Sequence, residues 1–445
     1  MGRISKVLAG FGAALTGMLL FGAAHAATLP QYAADAHLGV GTCAGSTCHG
    51  AVTPWKNSTV LQNEFVTWQS KDRHSKSYQS LLSERGKRIA ANLGLPNANE
   101  QKVCLDCHAD NVPAAQRSKT FNIADGVGCE ACHGGAVRWL GVHVAGAGGH
   151  AENLASGMFP SANPVERARL CMSCHIGDDK KFVTHRMMGA GHPRMAFELD
   201  TFTAAEPAHY RMDDDYVKRK RVGNGVQVWA IGQAMAIQHI LDGMLDPKRN
   251  RDGIFPELTF FDCQACHHPM SNVRWAPRAG TGLGPGVPRI NDANLVMLRV
   301  IAAQVNADLG NRLRQETLAL HAASLQGADA TAAAAKTLRA TAATLVDTFA
   351  KHAFGQKDMQ ALLAGVVKEG ATGEYNDYAA AEQATMALSS IITALRTAGG
   401  LTDAQFKSLN TALEQAYKAV EKDEAYQPKN FQAALQAIEA ATPRF

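Results

Sequence analysis

Apolar positions along the 445-residue chain change rhythm near residue 280. Downstream they recur at helix spacing. Leu338, Ala342, Leu345 and Phe349 step by four, three and four, and Leu388, Ile391, Ile392 and Leu395 share one face in the same way, as in helices that bury a single stripe. A further helix is predicted after Gly399-Gly400, where Thr402 and Gln405 have capping-box spacing ahead of Phe406, Leu409, Leu413, Tyr417 and Val420. It should run to about Glu421. Upstream the apolar runs are short and Gly and Pro are frequent, so regular structure should be sparse. Between the two lies a predicted connector, 276–290, with Pro277, Pro285 and Pro288 among Gly280, Gly282, Gly284 and Gly286. The expected fold class is mainly α with much irregular structure: an irregular domain over 27–280, followed by an all-α, alanine-rich helical bundle over 281–445.

The first 26 residues read as an export leader. Arg3 and Lys6 precede an apolar run from Val7 to about Ala23, and Ala24-His25-Ala26 fits the small-x-small rule for cleavage after Ala26. Gly10, Gly12 and Gly17 interrupt the run, which is short for a membrane span. Nothing later in the chain is apolar enough to span, so an exported, periplasmic protein without a transmembrane segment is expected.

Composition sharpens the picture of the upstream region. All ten cysteines and all five tryptophans lie before residue 276. The cysteines form five pairs, each followed at once by histidine. Four have the spacing C-x-x-C-H: Cys104 and Cys107 with His108, Cys129 and Cys132 with His133, Cys171 and Cys174 with His175, Cys263 and Cys266 with His267. The first is longer, with four residues between Cys43 and Cys48 before His49, and Gly45 with Ser46 can form the extra bulge. Zinc ribbons and disulfides also pair cysteines, but neither requires a histidine directly after the second. The pattern is that of five covalently attached c-type haems, in which two thiols hold the porphyrin and the adjacent imidazole reaches the iron. The haems are then expected to replace the side-chain core that this region lacks, and Gly50 and Gly134-Gly135 to keep the backbone clear of a porphyrin edge.

A second imidazole per iron would make each centre six-coordinate. Nine further histidines lie between the leader and the connector: His37, His74, His143, His150, His185, His192, His209, His239 and His268. That excess favours electron transfer, because a filled distal position leaves no room for a substrate. His185 and His192 flank Gly189 and Gly191, so either both ligate in different directions or one ligates and the other is a loop residue. His321 and His352, in the bundle, read as packing or surface residues.

The order of the first motif, WQSKDRHSKSY with Trp68 and His74, CLDCH, GVGCEACHGGA, His143 and CMSCH resembles the cytochrome c-554 type of multihaem cytochrome over about residues 40–180. The resemblance implies a mostly irregular and helical fold around closely packed haems. It further implies that His143 ligates the haem of the first motif, that His74 ligates that of the third, that these two porphyrins stack, and that the haem on His108 lacks a protein ligand on its far side.

Charge excludes one class of partner. The formal +4 drops by two when Arg3 and Lys6 leave with the leader, and five haems, each with two propionates against a ferric centre of about +1, bring the oxidised protein to roughly −3. No nucleic-acid partner is suggested. The run Asp213-Asp214-Asp215 followed by Lys218 to Arg221 reads as a solvated loop. The leading expectation is an electron carrier between periplasmic redox proteins, a donor and an acceptor. The competing one is a haem oxidoreductase converting a small nitrogen or sulfur compound at an open iron on His108. The helical domain is the expected site of docking to a redox complex or to a second copy of the chain.

Overall fold

The computed structural model describes residues 26–146, 149–251, 257–268, 278–284 and 286–444. Of the expected leader, residues 1–25 lie outside them. The fold is mainly α, and the described residues contain no strand, only isolated bridges at His37–Arg117 and Phe261–Ile290. No described helix is long and apolar enough to cross a membrane.

Upstream helices are short, and three of them carry motifs. Lys102–His108, Cys129–His133 and Pro164–His175 each end on the motif histidine. In a helix, positions i, i+3 and i+4 share one face, so C-x-x-C-H places both thiols and the imidazole on the same side. The fifth motif begins in a 3₁₀ turn, Cys263–Ala265, with His267 N–H donating to Cys263 O at 2.8 Å. The first motif absorbs its two extra residues in a tight loop closed by Cys48 N–H to Gly45 O (2.8 Å) and His49 N–H to Cys43 O (3.2 Å).

The glycines after the motifs serve backbone crossings. A Cβ on Gly50 would stand 2.0 Å from Ala44 O, inside the loop of the first motif, and one on Gly135 would meet Asp35 O and Ala36 O at 2.8 Å.

The sparse-structure expectation fails between residues 225 and 245. Gly225–Leu245 is a 21-residue helix, capped by Asn224 accepting from Gln227 N–H. Val226, Trp229, Ile231, Ala234 and Ile237, spread around its circumference, are buried, and a helix apolar on all sides belongs in an interior. It packs on Ala328–Lys351, Ala293–Val305, Tyr378–Thr397 and Pro164–His175. One apolar core therefore runs from Ala168 and Met172 through this central helix to Ile438, across the division expected at residue 280. The capping-box helix is observed at Asp403–Ala419, with Thr402 N–H donating to Gln405 Oε1 at 2.8 Å and Gln405 N–H to Thr402 Oγ1 at 3.3 Å. The charge run at 213–221 is helical over Asp214–Arg219, capped by Asp213.

Described parts of the expected connector are pinned. Arg278 and Arg289 are buried and pair with Asp292, Asp377 and Asp262: Arg278 with Asp292 at 3.0 Å and with Asp377, Arg289 with Asp262 at 3.0 Å and with Asp377 at 2.8 Å. Asp262 directly precedes Cys263, while Asp377 caps Tyr378–Thr397 by accepting from Ala380 N–H. Gln264, inside the fifth motif, accepts from Tyr378 N–H at 2.9 Å. The fifth motif is thereby fastened to the bundle.

Candidate haem-binding site

Each motif histidine faces one histidine from elsewhere. Ring centroids are 5.8 Å apart for His49 and His143, 6.4 Å for His108 and His192, and 6.2 Å for His133 and His209. They are 6.3 Å apart for His175 and His74, and 6.0 Å for His267 and His185. Two metal–imidazole bonds of about 2.0 Å, plus about 1.2 Å from each nitrogen to its ring centre, require about 6.4 Å. The five separations fit an iron between each pair of rings, so the residues present suit haem c.

Hydrogen bonds at Nδ1 orient several of these rings and leave Nε2 for a metal. His49 Nδ1–H donates to Glu64 at 2.8 Å, His74 Nδ1–H to Asp72 at 3.0 Å, and His192 Nδ1–H to Pro193 O at 2.8 Å. His108 Nδ1 lies 3.0 Å from Ser80 Oγ and 3.2 Å from Ser77 O, and His143 Nδ1 lies 3.3 Å from the Asn153 amide. The Glu64 hydrogen bond holds His49 above the usual imidazole range, and the Asp72 bond does the same for His74. Burial acts oppositely on His133, pushed down to about 3, and on His175, pushed down to about 4. Both are kept neutral, the state in which an imidazole ligates.

Glu130, between the cysteines of the third motif, accepts from Gly39 N–H at 2.6 Å just ahead of the first motif, and Cys174 Sγ lies 3.9 Å from Asp106 O of the second. The first motif therefore adjoins the third, and the second adjoins the fourth. Phe197 stacks on His175 at 4.6 Å and fixes that ring from the side of the central core.

Two implied pairings differ from the observed geometry. His74 faces His175 of the fourth motif, not the third, because Asp72 both caps the turn Arg73–Lys76 and turns the ring by its bond to Nδ1. The third motif is faced instead by His209, which sequence reasoning counted without giving it a role; nothing in AEPAHYRMDD marks it out. The far side of His108 is not open, since His192 stands there. The turn His185–Gly189 and the two residues after it present His185 and His192 to different motifs. Two histidines have other uses: His37 is bonded to Asp110 at 2.7 Å, and His239 donates to Gly177 O at 2.9 Å. In the bundle, His321 is buried with its Nδ1–H on Thr317 O, and His352 lies 3.2 Å from Asp358.

Neither a curated protein nor a solved structure matches the chain. Residues 42–134, which hold the first three motifs together with His74, match the family described as cytochrome c554 and c-prime, and over that segment the chain resembles c-type cytochromes of the c554 type.

Proposed function

We propose that the chain is an exported electron carrier holding five covalent haems, each iron between a motif histidine and one of His143, His192, His209, His74 and His185. The observation that carries the reading is the set of five imidazole pairs at 5.8–6.4 Å, one for every motif. Haem c supplies a one-electron couple when bound. The chain does the rest. Cys43, Cys48, Cys104, Cys107, Cys129, Cys132, Cys171, Cys174, Cys263 and Cys266 would hold the macrocycles, and the paired histidines would hold the irons. Rings tethered at Nδ1 by Glu64, Asp72 and Pro193 need not reorient when the charge at their centre changes.

Filled positions would leave no place for a substrate, and the His192 ring 6.4 Å from that of His108 favours the carrier over an oxidoreductase working there. The partners are then a donor and an acceptor among periplasmic redox proteins, in agreement with the leader and with thioether attachment outside the cytoplasm.

Electron paramagnetic resonance of the oxidised protein, with intact mass, tests this. The mass should contain five haems and the spectrum only low-spin ferric signals. His209→Ala should convert one of them to a high-spin or water-ligated form without changing the mass by a haem. A high-spin signal in the unaltered protein, or unchanged low-spin signals in the variant, would reject the ligand set.

A further inference from the structure

Beside the fifth motif lies a buried cation that forms no ion pair with a described residue, although the charges of Asp178, Asp246 and Asp242 act on it from farther off. Arg249 is 2% exposed, and its Nε and Nη1 have no hydrogen-bond partner. Its guanidinium sits over the ring of Phe182, 4.7 Å from the centroid. The side chain lines a cavity with Ile176, Phe182, Phe260, Cys263 of the fifth motif and His175 of the fourth. Arg194 lines the same cavity but is already neutralised, by Glu382 at 3.0 Å and Asp423 at 3.5 Å. The cavity encloses about 120 Å³, small beside ligand pockets of about 300–1,000 Å³. A buried charge lacking an ion pair is costly, so this arrangement suits an anion that is itself largely apolar.

We propose that Arg249 receives a propionate of the haem attached at Cys263 and Cys266, a role that rests on the five-haem reading above. The guanidinium presents a planar fork suited to a carboxylate, and Phe182 holds that plane by a cation–π contact. The residue positions the macrocycle against the central core, and its charge favours the ferrous over the ferric state of that haem.

Potentiometric titration of the haem-loaded protein followed by paramagnetic resonance tests the assignment. Arg249→Gln should keep five low-spin haems, with one of them about tenfold harder to reduce, a downward shift of about 59 mV for one electron. Arg249→Lys, which retains the charge, should recover most of the shift. In a His185→Ala background, where the fifth haem has left the low-spin set, adding Arg249→Gln should move none of the four remaining low-spin midpoints. Unchanged midpoints in Arg249→Gln, or a shift that persists among those four, would overturn the proposal. If Arg249→Gln loses a haem during assembly, haem-peptide mapping decides: loss at Cys263 and Cys266 supports anchoring there, and loss elsewhere overturns it. Fewer than five haems in the unaltered protein would reject the underlying reading instead.

Discussion

In the first 160 residues, buried apolar side chains gather in small groups, such as Leu81 with Ala90, Ala98, Leu105 and Ala109. Beyond Pro164 a single cluster runs from Ala168 to Ile438. A group of a few alanines and leucines removes little apolar area from water, and at roughly 25 cal/mol per Å² it falls short of the conformational entropy of the segments it joins. The downstream helices need no such help, with Leu338, Leu345, Phe349, Leu362 and Leu388 fully buried. The comparison teaches that the upstream fold is organised by where its imidazoles and thiols must meet, and the downstream fold by where its apolar stripes must meet. The helix Pro164–His175 belongs to both, since Ala168 and Met172 enter the large core while Cys171, Cys174 and His175 form a motif.

The largest expected effect follows from denying the chain its haems. Produced without haem attachment, the upstream region should lose fixed tertiary structure while the bundle stays helical, because only the latter has a core made of side chains. Limited proteolysis reads the outcome directly. A resistant fragment should begin near residue 224, ahead of the central helix, because that helix is an integral part of the bundle core. A fragment beginning near 281 would show that the composition boundary is the physical one, and uniform resistance along the chain would break the comparison.

The converse experiment alters the bundle alone. Phe349→Ala removes a fully buried ring from Ala328–Lys351, which packs on the central helix, and should cost about 3–5 kcal/mol. Helical circular dichroism on heating should report that loss, while the Soret band and the low-spin signals stay as they were. A changed haem spectrum would mean that the two kinds of core are more tightly coupled than the packing indicates.

How much of this was legible in the sequence follows the range over which each feature is specified. The motifs and the capping box at Thr402 and Gln405 act within four to seven residues, and the capping box and the motif-bearing turns appear where the sequence places them. The central helix escaped detection because VQVWAIGQAMAIQHIL has no polar face to set a period; all its sides are covered. Arg278 and Arg289 escaped because a Gly- and Pro-rich stretch reads as a linker until its two arginines are seen between Asp262, Asp292 and Asp377. The histidine pairs are tertiary contacts joining segments far apart in the chain, as with His133 and His209. A count of histidines supplies candidates for such pairs, but only the fold brings two together.

Glu198 offers a smaller effect at the seam between the regions. It caps Leu199–Ala205 by accepting from Asp200 and Thr201 N–H, and it is buried beside Leu199. Burial, then the nearby Asp200, pushes its carboxyl up from 4.5 to about 7. An acid whose value is raised on folding is more protonated in the folded than in the unfolded chain, so no penalty exists well below pH 4.5. Stability should fall as pH rises from about 4.5 to about 7 and then level off, for a total of about 3 kcal/mol. Glu198→Gln should flatten denaturant-derived stability across that window. An equally steep profile in the variant would assign the dependence to other groups.

The smallest expected effect concerns how finely each iron is tuned. His49 donates its Nδ1–H to the carboxylate of Glu64, whereas His192 donates to the neutral carbonyl of Pro193. A carboxylate on the outer nitrogen gives the imidazole part of an imidazolate's charge and stabilises the ferric state. Glu64→Gln keeps the shape and removes the charge. The first haem should then become easier to reduce by up to about tenfold, or about 60 mV for one electron, with its coordination unchanged because His143 and His49 remain in place. The other four midpoints should move far less, since their ligands bond to other groups. A uniform shift of all five would point to a general field effect, in which case the outer-nitrogen bond is not what sets the first haem apart.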